Sequence, residues 1–190
     1  MKSNRLEAFS DGVLAIIITI MVLELKAPEE ISLHALFSES PIFVSYLLSF
    51  IYLGIYWNNH HHLFQITEKV NGKILWANLH LLFWLSLIPF ATSWVGENHT
   101  ASVPLALYGL ILLMSAIAFY ILQWAIIHYH DDDFALRKAI GKDLKGKLSL
   151  VLYVVGLLLS FVNPWFAISC YVFVAIMWFV PDKRIEKNIN

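Results

Sequence analysis

The sequence predicts an all-α integral membrane protein with six transmembrane helices, and three observations carry that prediction. Of its 190 residues, 59% are hydrophobic and only 14% charged, with a mean hydropathy of +0.67, too apolar for a soluble domain of this length. Apolar runs long enough to cross a bilayer recur along the whole chain. Basic residues gather in the segments that a six-span layout leaves on one side of the membrane.

The first run, at about 6–25, follows Lys2 and Arg5 as a signal peptide would. Asp11 and Glu24 flank its apolar centre and no small-residue cleavage site follows at Lys26-Ala27-Pro28, so it reads as a retained span. Three more spans fall at about 41–65, 74–95 and 103–129. The last apolar region, 148–180, is too long for one span. Asn163-Pro164 interrupts it, and proline removes a donor while disfavouring helix at the residue before it. Two helices, 148–162 and 165–180, are expected there.

Six spans put both termini in the cytoplasm. The cytoplasmic segments then hold Lys2, Arg5, Lys69, Lys73, Arg137, Lys138, Lys142, Lys145, Lys147, Lys183, Arg184 and Lys187, leaving Lys26 outside; five spans would put the basic C-terminus on the wrong side. The outer loops carry Glu29, Glu30, Glu39 and Glu97, ordinarily solvated loop acids, whose functional reading is mild cation enrichment at an external mouth. Segment 130–147 is the one sizeable polar stretch and reads as a linker near the headgroups. Residues 1–190 therefore form a single transmembrane domain without internal duplication.

The same numbers exclude several functions. A net charge of −1 with dispersed lysines and arginines argues against nucleic-acid binding. The single cysteine, Cys170, has no partner for an intramolecular disulfide. No recognisable combination of nucleophile, base or metal ligands points to an enzyme, and no catalytic residue, metal site or cofactor is expected. His60, His61 and His62 are consecutive and point 100° apart on a helix, so they do not converge on one ion.

The first helix has two faces. With Ile16 as origin, Phe9, Gly12, Ile16, Thr19, Ile20 and Leu23 fall within about 60° of one line, whereas Asp11 points about 220° away. Such a stripe is ordinarily core packing. Asp11 is different, because an ionisable residue within a span costs about 2.5–3.5 kcal/mol on insertion scales and avoids lipid. Spans two and three bring polar groups to the same depth: Trp57, Asn58, Asn59, His60, His61 and His62 on one, Asn78, His80 and Trp84 on the other. Polar groups in a membrane need partners, so Ser10 and Asp11 are expected to bond with a histidine or asparagine of this band and with an indole N–H. Arg5 lies about 240° around the helix from Asp11, so its partner is expected on another helix or subunit.

Arg5-x-x-x-Phe9-Ser10-Asp11-Gly12, the Ile/Leu/Val run containing Thr19, and Leu23-Glu24-x-Lys26-x-Pro28 closely resemble the first helix of the transmembrane protein 175 family of potassium channels. The resemblance extends to Trp57–Phe64 (WNNHHHLF), to Trp84–Phe90 (WLSLIPF) and to the six-span plan, and the length matches the prokaryotic single-repeat members. It implies a homotetramer in a bacterial or archaeal plasma membrane, with the first helix of each subunit lining the pore. It places the apolar ring that serves as constriction and hydrophobic gate on Ile16, a hydroxyl layer on Thr19 and a second apolar layer on Leu23, with Ile20 contributing beside Ile16. It also gives the Arg5/Phe9/Ser10/Asp11 motif, with Gly12, a structural role in holding the pore helix, which agrees with the polar network read from depth at Asn58, His61, His62, Asn78, His80 and Trp84.

The chain contains no TVGYG-type segment from which to build a carbonyl filter. Potassium selection is therefore expected at the apolar constriction, with potassium as the permeant ion and no bound cofactor. The alternative is a proton-coupled secondary transporter or a proton-conducting channel using Asp11 and the histidine band. Mid-membrane broken helices and inverted repeats would favour the transporter, and the sequence displays neither.

Overall fold

A computed structural model of the chain describes residues 2–67, 69–130 and 143–179. The basic residues Arg137, Lys138, Lys142, Lys183, Arg184 and Lys187 and most of the polar segment 130–147 lie outside them. Eight helices form among the described residues: α1 (Asn4–Leu23), α2 (Leu33–Ser38), α3 (Ser40–Gln65), α4 (Gly72–Ser86), α5 (Ile88–Glu97), α6 (Ser102–Ile127), α7 (Leu144–Leu159) and α8 (Pro164–Phe179).

Local chemistry sets most of the boundaries. Ser32 and Asn71 cap α2 and α4 by accepting from the Ala35 and Ile74 N–H, both at 3.0 Å. Asp143 caps α7, its Oδ1 accepting from Gly146 N–H at 2.9 Å. Pro41 and Pro164 stand at the starts of α3 and α8, where a missing N–H is harmless. Between α7 and α8 the chain turns over 160–163, and Asn163 Oδ1 accepts the Trp165 N–H at 3.0 Å.

The span expected at 74–95 is present, built from α4 followed by α5 with an interruption at Leu87, whose N–H donates to the Trp84 carbonyl at 3.2 Å. Pro89 offers no N–H to the carbonyl four residues back and its ring crowds it, so the α-helical ladder cannot run through. Among the described residues, four stretches are long and apolar enough to cross a membrane: Asn4–Leu23, Ser40–Gln65, Gly72–Glu97 taken together, and Ser102–Ile127. α7 and α8 have 16 residues each.

The helices pack as a bundle around α6, with α4 and α7 along it, α3 against α5 and α8, and α1 against α3, α4 and α5. Lys2 and Lys69 form an isolated bridge, which brings the start of the chain and the α3–α4 loop to the same end. The outer surface carries exposed Phe43, Phe83, Phe90, Phe161, Trp165, Phe173 and Ile176, far more apolar surface than a water-soluble protein tolerates. This is an all-α membrane protein.

Tyr171 is central to the α3/α6/α7/α8 core. Its hydroxyl donates to the Leu105 carbonyl at 3.2 Å and its own carbonyl accepts from Tyr52 at 2.6 Å. Gly109 and Gly156 leave room for its ring: a Cβ on Gly156 would lie 2.5 Å from Tyr171 Cε1, and one on Gly109 would collide with the hydroxyl. Gly156→Ala is therefore expected to destabilise the fold by about 1–3 kcal/mol through overpacking, read as a lower melting temperature in mild detergent.

Candidate ion pathway and its polar anchor

α1 buries Leu6, Ser10, Leu14, Ile17 and Met21 against the bundle. These recur at spacings of three and four residues, so the buried stripe centres about 120° from Ile16. The opposite side is bare: Phe9 is 52% exposed, Ile16 61%, Ile20 43% and Leu23 76%, with Gly12 and Thr19 also exposed. The Thr19 hydroxyl donates to the Ala15 carbonyl at 2.7 Å, which keeps it on the helix backbone. Among the described residues, one apolar face of the first helix is thus left largely exposed.

The other side of α1 is held by polar bonds at one depth. Ser10 donates to the Leu6 carbonyl at 2.9 Å and accepts from Asn78 Nδ2 at 2.9 Å, while Asn78 Oδ1 meets His60 Nε2 at 2.8 Å. Ser10, Asn78 and His60 are all fully buried, so this chain ties α1 to α4 and α3 where no water offers a substitute. The Trp57 indole donates to Asp11 Oδ1 at 3.0 Å. Glu7 Oε1 lies 2.8 Å from His61 Nδ1, whose Nε2 meets Gln65 at 2.8 Å, and Trp57 stacks on the His61 ring with 13° between the planes. Three residues of α1 are thereby fastened to two helices.

Not every residue of the expected polar band joins this anchor. His80 and Trp84 bond to each other within α4, the indole donating at 2.9 Å, and not to α1. Asn58 makes no side-chain hydrogen bond to a described residue, and the buried Nδ1 of His62 is without a partner. Arg5 is exposed, within about 20° of the Ile16 line, and has no partner among the described residues. His60 turns to Asn78 and His61 to Glu7, so the three histidines do not converge on one point.

Glu7 is the member that sequence reading missed. The signal was available, because a second carboxylate four residues before Asp11 lies on the same helical side. At the far end of α1 a cavity of about 540 Å³ is lined by Glu24, Glu29, Glu30, Glu39 and Glu97 together with Lys26 and His34. Its surplus of carboxylates gives that end a negative field.

Comparison with known proteins agrees with this architecture. The family described as endosomal/lysosomal potassium channel TMEM175 matches residues 5–89, the stretch that contains α1 and both helices of its anchor. A potassium channel of Chryseobacterium sp. (strain P1-3) is 58% identical over all of this chain and 99% of its own length. The crystal structure of a lysosomal potassium-selective channel TMEM175 homolog from Chamaesiphon minutus superposes with a TM-score of 0.82 at 31% identity, covering 93% of this chain and 96% of that one. The endosomal/lysosomal proton channel TMEM175 of Gallus gallus is 27% identical over 75% of this chain and 32% of its own length. On sequence, length and fold together, this chain belongs to the TMEM175 family of membrane channels.

Proposed function

We propose that the chain is one subunit of a homotetrameric potassium-selective channel of the bacterial or archaeal plasma membrane, with α1 of each subunit lining the pore. The observation that carries this reading is the asymmetry of α1. Its polar side is fastened to α3 and α4 of its own subunit, whereas its bare side presents Phe9, Ile16, Thr19, Ile20 and Leu23. One helix cannot enclose a bore, so several copies must supply the missing neighbours, and closed rotational symmetry is the usual solution. The names of the Chryseobacterium and Chamaesiphon relatives support potassium as the permeant ion.

In this arrangement the Ile16 ring is the constriction and Leu23 a second apolar layer. Apolar rings gate by dewetting and admit an ion only after it sheds water. Potassium holds its water less tightly than sodium, which supplies discrimination without a carbonyl filter. Arg5, on the exposed side, takes its partner from a neighbouring subunit. The carboxylates around the 540 Å³ cavity raise the local cation concentration at the outer end. The whole of 1–190 acts as one channel domain with six membrane-crossing segments, α7 and α8 supplying the last two, both termini cytoplasmic and no bound cofactor.

The test is the reversal potential of purified protein in a planar bilayer under opposed potassium and sodium gradients, followed by a proton gradient. Reversal close to the potassium equilibrium potential is expected. Reversal that follows the proton gradient, or proton-coupled uptake into liposomes without resolvable current, would move Asp11 and the histidine band from anchor to proton path and overturn the reading.

A further inference from the structure

We propose that Glu7, His61 and Trp57 form a clamp that sets the rotation of α1 about its own axis, and so act as positioning residues for ion selection. This role rests on α1 lining the pore, as proposed above. At 100° per residue Glu7 points about 180° and Asp11 about 220° from Ile16, behind the face assigned to the bore. Ser10 points about 120° away, toward one flank of the same rear side. A tie on one flank lets a helix swivel about it, whereas ties spread around the rear oppose rotation in both senses. Ser10 is held by Asn78 of α4 and the two carboxylates by α3, so the rear ties pull toward different helices.

The α3 side of the clamp works as one unit. Both ring nitrogens of His61 are engaged: Nδ1 lies 2.8 Å from Glu7 Oε1, and Nε2 lies 2.8 Å from the Gln65 amide nitrogen. An imidazole held at both nitrogens has a fixed plane, and Trp57 lies against it with 13° between the rings. Trp57 is 45% exposed, so little else confines its indole, which donates to Asp11 Oδ1 at 3.0 Å. Glu7 therefore acts twice, through its own bond to α3 and by fixing the platform under the indole that holds Asp11. At a side-chain radius of about 5 Å, a 30° turn of α1 swings Ile16 by about 2.6 Å. Functional constellations tolerate displacements of only about 0.5 Å, so rotation of this size decides what the Ile16 ring presents to an ion.

The experiment joins two measurements on the full-length protein. Nitroxide labels on cysteines introduced one at a time at positions 13–20, in a Cys170→Ser background in liposomes, give the phase of the oxygen-accessibility period along α1. Glu7→Ala is expected to turn that phase by about 30° or more, roughly a third of the 100° step between neighbouring residues. Glu7→Gln, whose amide oxygen still accepts from the imidazole N–H, should leave it in place. In planar bilayers Glu7→Ala should lower the potassium-to-sodium permeability ratio about threefold while Glu7→Gln stays close to wild type. The Glu7→Ala/His61→Ala double variant should fall no further than either single one, because both break the same unit. Gly156→Ala separates rotation from mere loss of stability. It strains the Tyr171 packing on α7, against α6 and α8, and should lower the melting temperature while leaving phase and ratio unchanged. An unturned phase in Glu7→Ala, additive losses in the double variant, or an equal loss of ratio in Gly156→Ala would overturn the proposal. The nitroxide phase involves no ion, so an unturned phase fails the clamp, whereas a wild type without potassium selectivity fails the reading of the pore.

Discussion

Replacing Ile16 with asparagine is expected to raise single-channel conductance severalfold and to lower the potassium-to-sodium permeability ratio about tenfold, a loss of about 1.4 kcal/mol of discrimination. Ile16 is 61% exposed in the isolated chain, so the substitution meets no packed intramolecular neighbour and should leave the subunit folded. In the proposed tetramer, what changes is the ring facing the bore. An amide gives water and a permeating ion hydrogen-bonding partners where the isoleucines give none, so the proposed dehydration step should become shallower. Ile16→Leu should keep both conductance and selectivity close to wild type, since it alters shape without adding a polar group. Bi-ionic reversal potentials and single-channel amplitudes check both variants, and an unaltered permeability ratio in Ile16→Asn would remove Ile16 from the selectivity mechanism.

Asn78→Ala is expected to be the most damaging single change in the anchor, costing about 2–4 kcal/mol. Interhelical hydrogen bonds in membranes average only ~0.6 kcal/mol by double-mutant cycles, because the alternative states also find partners. This position is worse than the average. Asn78 bridges Ser10 and His60, both fully buried, so its loss leaves the His60 ring without a partner and Ser10 without its donor. An orphaned buried polar group costs ~1–3 kcal/mol. Asn59→Ala is the control, because the Asn59 amide donates to the Ile55 carbonyl of its own helix at 2.8 Å and ties nothing together. Unfolding in mixed micelles should show a large loss for Asn78→Ala and a small one for Asn59→Ala; equal losses would mean that the Ser10–Asn78–His60 chain does not hold α1 in place.

Hydropathy, helical period and proline chemistry are local properties, and what depends on them alone was legible in the residues. The long spans, the turn at Asn163-Pro164 and the stripe from Phe9 to Leu23 follow from the order of side chains along the chain. Pro89 also marked the interruption at Leu87, although the apolar run around it hid the signal. The short helix α2 lay in a polar loop with a weak pattern, held by the Ser32 cap and little else.

Partner choice is another matter, because it depends on how each helix is rotated and how deeply it sits against the next. The sequence supplied a set of polar residues at one depth, but only packing decided that Asn78 reaches Ser10, that Trp57 and not a histidine meets Asp11, that Glu7 takes His61, and that His80 turns back to Trp84. The room that Gly109 and Gly156 give the Tyr171 ring likewise joins residues distant along the chain. Sequence alone determined that this protein lives in a membrane and which face of its first helix is smooth and apolar; tertiary structure decided that this face is left bare while the opposite one is bolted down, since burial is a relation between helices and not a property of either.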